Sequence, residues 1–427
     1  MASAAKTRRL CRGTAVDRLS NLPGNVIDLI LEPLPVRDIA RMSIFSKRWR
    51  DVLVLHPHLV FDDLFFEPLL SKKDSEKDTQ AQVSEISRII SNILLVHTGP
   101  ISTFHLFIPQ DLPLHRCVDT DFWIRNISNR VQKLKLLNKP FTMYKIPLYL
   151  FSCLKLTHLH LTNCILNPPL RFRGFCNLLS VELEDVVIRA DMSFGTQLEK
   201  LELTVCTGIK HLGCQFTYKN NLTRLIITDC GEFDFEWFEC IQKVEFLAVR
   251  GVLNSRNELI NWNKLFANFP RINTLGIDGF FLESVEPGAA VLERPITTLE
   301  KYLVFVRFDE MVHVQHNFCL IKSFPNLRHL YIVQDCEVSS SDEADLLDFM
   351  AFSADMILEK LEIVEIRGVV GSRAELQLIK LLLACTPRLR RIELEKDITV
   401  DAKEELRISR ELLQIPRAST SSQIIWN

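Results

Sequence analysis

Three stretches share one spacing: LTHLHLTNC at Leu156–Cys164, LEKLELTVC at Leu198–Cys206 and LTRLIITDC at Leu222–Cys230, each L-x-x-L-x-L-x-x-C. Looser copies start at Leu178, Val244, Ile272, Leu327, Leu361 and Leu389, and weaker ones at Ile101, Val131 and Leu299. Successive starts fall 20 to 34 residues apart. Within a copy, x-L-x-L-x places two apolar side chains on one face of a short strand, because side chains alternate along a strand. One strand cannot bury that face. Stacked copies can, beneath a continuous parallel sheet, with the chain returning between strands as helix or turn. About twelve copies at the roughly 4.8 Å spacing of paired strands give a curved slab on the order of 55 Å long.

This pattern resembles the leucine-rich repeat family in its irregular plant form. The expected fold is α/β, with the strands forming the curved inner wall of a solenoid over residues 83–355. Cys164, Cys206 and Cys230 fall at the place where such repeats carry an inward Asn or Cys, so a buried structural column is expected. A metal or redox cluster is the alternative reading, and it lacks the paired ligand spacing of a zinc site. Outward strand positions would line the concave face; they include His158, His160, Glu182, Glu184, Lys200, Glu202, Arg224, Arg250 and Tyr331. His158 and His160 share a strand face and would bind a metal only if a third ligand converged.

The N-terminal stretch LSNLPGNVIDLILEPLPVRDIARMSIFSKRWRDVL, Leu19–Leu53, reads as three short helices. Val26, Ile27, Ile30, Leu31 and Leu34 form a stripe too wide for two short neighbours to cover, Pro33 and Pro35 end the first helix, and Ser46 is a plausible cap for a third. Leu22-Pro23, the Ile30-Leu31 pair, Leu34-Pro35, Asp38 and SKRWR together resemble the F-box, over residues 17–60. The resemblance implies a docking site for the Skp-type adaptor of cullin ubiquitin ligases. By that likeness Leu19, Leu22, Pro23 and Leu31, with Ile27, Ile30 and Leu34 beside them, would face the adaptor. Asp38 and Arg41 would lie at the polar rim and Trp49 would be the aromatic anchor.

Residues 1–16 carry Lys6, Arg8, Arg9 and Arg12 without an acid and read as a disordered basic tail, with a nuclear or organelle address as the alternative. Residues 71–82 read as a polar linker. After them Val83, Ile86, Ile89, Ile90, Ile93 and Leu94 recur at helical spacing, as a helix covering the raw edge of the first strand would require. Asp335–Asp345 is an acidic, Ser-rich insertion, with Ser340 and Glu343 an acidophilic phosphosite on the alternative reading. In LEIVEIRGVVGSRAELQLIKLLLACTPRLRRIELE, Leu361–Glu395, Ser372 and Glu375 form a capping box, and Leu376, Ile379, Leu382 and Leu383 form a buried stripe. This end resembles the FBD region of plant F-box/FBD/leucine-rich-repeat proteins and is expected to cap the solenoid over 356–415, with 416–427 a tail.

Composition narrows the function. The chain has 427 residues, 47% of them hydrophobic and 24% charged, with a formal net charge of −2. Neither Lys nor Arg is in excess, so no nucleic-acid or membrane partner is expected. Twelve Cys without CxxC pairs fit a reducing, intracellular compartment, cytoplasm or nucleus. Gly208–Gly213 has GxxxxG spacing but continues Cys-Gln, lacking the Walker lysine and hydroxyl, and HVQH at His313–His316 lacks the zincin glutamate. No catalytic residue, metal or cofactor is expected. The resemblance implies a non-catalytic subunit of a ubiquitin ligase, holding the Skp-type adaptor and through it cullin, with a substrate protein of unknown identity on the repeats. Two alternatives stand beside it: a receptor whose small-molecule ligand recruits the substrate, and a ligase-independent interaction scaffold.

Overall fold

The computed structural model describes residues 22–31, 34–42, 54–70, 76–110, 112, 118–172, 174–215, 220–233, 235–254, 259, 261–284, 292–308, 310–335 and 357–427. Two helices come first, α1 (Gly24–Leu31) and α2 (Val36–Met42). The strands are β1 (His58–Phe61), β2 (Thr103–Ile108), β3 (Lys133–Asn138), β4 (Tyr144–Lys145), β5 (His158–Leu166), β6 (Ser180–Ile188), β7 (Lys200–Thr204) and β8 (Arg224–Phe233). They continue as β9 (Phe246–Asn254), β10 (Thr274–Ile277), β11 (Lys301–Val306), β12 (His329–Gln334), β13 (Ile363–Val369), β14 (Arg391–Lys396) and β15 (Gln423–Trp426). Among the described residues they form one parallel sheet in sequence order, with the short β4 paired to β5 outside the main path.

The alternation that defines the repeats is the alternation of burial. Leu134 and Leu136, Leu159 and Leu161, Leu201 and Leu203, Leu225 and Ile227 all point into one continuous core running from Val36 to Ile415. What backs the sheet follows repeat length. Where starts are 20 to 24 residues apart, between Leu156 and Val244, the described residues behind the sheet form turns and short 3-10 segments such as Ile209–Gln215 and Phe235–Cys240. Longer repeats at both ends hold α-helices: Glu76–Val96 and Val118–Ile127 early, Met311–Lys322, Arg373–Cys385 and Ala402–Leu413 late.

Each middle strand leaves the sheet through a left-handed residue. Asn163, Asp185, Val205, Asp229 and Gly251 have φ of 54°, 52°, 54°, 52° and 57° and stand side by side across β5–β9. Asn, Asp and Gly tolerate this conformation. The residue that follows turns inward, which is why Cys164, Cys206 and Cys230 are buried as expected. Their thiols donate to backbone carbonyls, Cys164 to Thr162 at 3.2 Å and Cys206 to Leu183 at 3.3 Å. Burial pushes the Cys164 thiol above its ordinary value, so it stays protonated.

Three boundaries differ from the sequence reading. The solenoid begins at β1, not near residue 83, because His58–Phe61 already pairs with β2. The helix at Val83 starts at Glu76, inside the expected linker. It is the crossover between β1 and β2, and the edge of β1 is met by α2. At the other end 416–427 is not a tail: Gln423–Trp426 adds the last strand, and Trp426 Nε1 donates to Glu405. The basic tail, the third F-box helix and Ser340–Glu343 lie outside the described residues. Among the described residues no helix is long and apolar enough to cross a membrane.

Candidate functional site

Outward strand residues form three rows across the sheet. Arg250 on β9 lies over the Phe305 ring of β11, 4.2 Å from guanidinium carbon to ring centre, and comes within 4.0 Å of Asp335, which follows β12. Side chains from strands three places apart converge in this way when the sheet curves toward them, so this is the concave face. All of His158, His160, Lys200, Arg224, Arg250 and Tyr331 belong to it, but they fall into separate groups.

In the middle the charges satisfy one another. His160 Nδ1 is 3.2 Å from Glu182, which accepts from Lys200 Nζ at 2.6 Å. Lys200 also lies 3.3 Å from Glu202, which accepts from Arg224 Nε at 2.8 Å. The Arg224 guanidinium sits 3.7 Å above the Phe246 ring. This ladder crosses β5 to β9.

Beyond it the face becomes apolar. Phe246, Gly276, Leu303, Phe305, Tyr331 and Val333 floor a depression of about 510 Å³, with Lys301, Glu365 and Arg367 on its border. Arg224 and Arg250 do not converge there; each covers an aromatic ring at its edge. Of the residues read from sequence only Tyr331 lines it. The rest were legible as apolar or glycine residues at strand positions that in other repeats are polar, a signal that a search for charged groups passes over.

On the other side of the ladder, His158 and His160 meet His105, Lys133 and Lys135 around a second depression, of about 330 Å³. Burial first, then the charges of Lys135 and His160, drive the His105 imidazole down to about 4, with Asp63 opposing. His158 and His160 are also lowered, chiefly by burial. Among the described residues no three His, Cys, Asp or Glu side chains are arranged to hold a metal ion.

The N-terminal module has its own small core. Ile27, Leu31 and Ile39 are buried together, with Leu22, Leu34 and Met42 packed around them. Of the apolar positions expected to face an adaptor, Ile27 and Leu31 are therefore turned inward, at 2% and 0% exposure, because α1 and α2 close on one another. Pro23, Leu29 and Ile30 remain exposed, the last two at 68% and 39%. Asp38 pairs with Arg37 at 3.6 Å and Arg41 at 3.5 Å, at the module's polar edge. Leu19 and Trp49 lie outside the described residues. Val36 belongs to the solenoid core, so the module is packed onto the repeats.

Comparison with known proteins decides what this pairing is. The F-box domain model matches residues 19–58, and the model of the At1g61320/AtMIF1 leucine-rich repeat domain matches residues 93–277. The chain carries an F-box and a leucine-rich-repeat domain. It is similar along its length to the F-box/FBD/LRR-repeat protein At1g13570 of Arabidopsis thaliana, 28% identical over 97% of this chain and 99% of that one. F-box/LRR-repeat protein 13 of the same plant is 23% identical over 96% of each. The FBD-associated F-box protein At4g13985 is 27% identical over 43% of this F-box/leucine-rich-repeat chain and 39% of its own length.

Proposed function

We propose that this F-box/leucine-rich-repeat protein is the substrate-recognition subunit of an SCF-type ubiquitin ligase. Its F-box holds a Skp-type adaptor, and through it cullin, while the concave face holds a substrate protein. The chain contributes proximity: it raises the effective concentration of a substrate lysine near ubiquitin carried by other subunits, and performs no bond chemistry itself. The working place is the cytoplasm or nucleus, where that machinery acts. What carries the reading is an F-box match on a helical module that leaves Leu29 and Ile30 bare. Apolar side chains of this kind anchor interfaces once a partner excludes water.

The test mixes the full chain with a recombinant Skp-type adaptor. A stoichiometric complex on gel filtration is expected, and Ile30→Glu should abolish it while leaving the thermal transition of the repeats unchanged. No complex with the intact chain, under conditions where another F-box protein binds, overturns the reading.

One observation favours a second reading, in which a small ligand on the concave face completes the substrate site. The depression floored by Phe246, Leu303 and Phe305 has the size and apolar lining of ligand sites, with Lys301 on its border to meet an acid group. Saturable thermal stabilisation by an aromatic carboxylate, lost in Leu303→Glu, would support it.

A further inference from the structure

The two ends of the sheet are unequal. At one end α2 lies against the edge of β1. At the other, among the described residues, β15 is bonded only to β14. Gln423 N donates to Arg390 O and Asn427 N to Leu394 O, both toward β14, and the direction of these groups alternates along a strand. The N–H and C=O groups of Ile424 and Trp426 therefore point away from the sheet, to where a further strand would lie, while both side chains pack on the core. The helix Ala402–Leu413 repeats this deficit behind the strand. Its Arg407 reaches back to the Gly371 carbonyl at 2.7 Å, and Ile408 lies against the same glycine. Ala402, Leu406, Ser409 and Leu413 fall on one stripe of the opposite side, where Leu406 and Leu413 are 52% and 77% exposed. Repeat stacks need a polar face on their terminal units. Here open backbone and an apolar stripe share one end.

We propose that this end is an interface with a second copy of the chain, joined tail to tail about a twofold axis at Ile425. Antiparallel pairing of β15 with its copy sets Ile424 opposite the partner subunit's Trp426 and Trp426 opposite the partner subunit's Ile424, each pair exchanging both of its backbone bonds, with Ile425 facing its own copy. The helix stripe is complementary to itself under the same reversal, which sets Leu413 against Ala402 and Leu406 against Ser409, large against small. A lone peptide strand would leave Leu406 and Leu413 bare, and a lone helix would leave the strand edge unpaired. A second copy supplies both. Head-to-tail stacking is blocked because α2 occupies the edge of β1, so the contact is isologous and closes as a dimer. A short strand and one helix stripe make a small interface, so the association is weak, with a Kd on the order of 10 µM. The joined sheets turn both concave faces to the same side. None of this rests on the ligase function proposed above.

The test is sedimentation of the full chain from about 1 to about 100 µM, which should show a reversible monomer–dimer equilibrium, with monomer prevailing at the low concentrations of gel filtration. Ile424→Pro removes an N–H on the open side and none on the β14 side, and should weaken association at least about tenfold while the chain melts like the parent. Leu413→Glu should weaken it as well, and Ile30→Glu, at the far end, should leave it unchanged. Ile425→Cys should form a disulfide-linked dimer under mild oxidation, where the parent with its native thiols does not, because facing residues of a non-hydrogen-bonded pair lie about 4.5 Å apart, within disulfide reach. A chain that stays monomeric up to about 100 µM leaves the end face to a strand of a different protein and overturns the proposal. Association unchanged in both Ile424→Pro and Leu413→Glu, or abolished by Ile30→Glu, overturns it too. Adaptor capture is read in parallel: its loss in the parent chain sinks the ligase reading alone, and its persistence in a chain that does not self-associate sinks this inference alone.

Discussion

Val205 is the residue at odds with its place. It is β-branched, about half exposed, and held at φ 54° in a column otherwise made of Asn, Asp and Gly. A left-handed β-branched residue costs about 1–3 kcal/mol. Val205→Asn should therefore raise the unfolding free energy by about 1 kcal/mol, seen as a higher urea midpoint with an unchanged slope. A lower midpoint would show that the strain is offset by contacts of the valine side chain. The histidine pocket makes a second prediction at this scale. His105 sits near 4 in the folded chain and near 6.5 when unfolded, so between those values the unfolded chain binds the extra proton. Stability is lost as pH falls through that window, by at most about 1.4 kcal/mol per pH unit. Comparing melts at pH 7 and pH 5, His105→Gln should lose less than the parent. The residue scale also separates what was readable from what was not. Leu and Cys positions announce their burial because the repeat demands it. That His105, Lys133 and Lys135 join His158 and His160 depends on strand register, which fixes which outward positions become neighbours, and the weak copies at Ile101 and Val131 hid that register.

At the scale of elements, the helix Arg373–Cys385 illustrates local sequence fixing local structure. Ser372 Oγ accepts from Glu375 N at 3.2 Å, and the Glu375 carboxylate reaches back to Ser372 N at 2.9 Å and Gly371 N at 2.6 Å. The capping box and the stripe Leu376, Ile379, Leu382 and Leu383 were both legible, since each is a short-range pattern. Ser372→Ala should cost about 1 kcal/mol. Gly371 has φ +79° and lies against Ile408 of the next helix, where an added Cβ would come within 2.4 Å, so Gly371→Ala should cost more than the lost cap. Equal losses from the two substitutions would mean the helix Ala402–Leu413 shifts to make room. Among the elements that escaped the sequence reading were β1 and β15. Four residues flanked by Pro57 and Asp62, or by a Ser-rich turn, are too short to advertise a repeat. They become strands because an existing sheet edge offers them partners.

At the scale of the whole molecule, the F-box and the repeats are coupled. Val36 of α2 is fully buried in the same core as the first strands, α2 lies against β1, and Arg37 Nη1 donates to the Leu64 carbonyl at 2.5 Å. Removing residues 1–60, the obvious way to separate adaptor binding from substrate binding, therefore does more than delete a docking module. It removes three of the four residues of β1 and bares the edge of β2, with Phe104 losing its neighbour Leu59. An uncovered parallel edge over an apolar face invites pairing with another chain. The truncated protein should melt lower and elute as dimer or aggregate, so a loss of substrate in that form would say nothing about where substrate binds. Ile30→Glu avoids this: Ile30 is exposed and outside both cores, and the variant should remain monomeric, keep its melting transition and lose only the adaptor. If the truncation instead stayed monomeric with an unaltered transition, the F-box would be a free appendage. Ligase attachment would then be independent of the frame that presents the concave face.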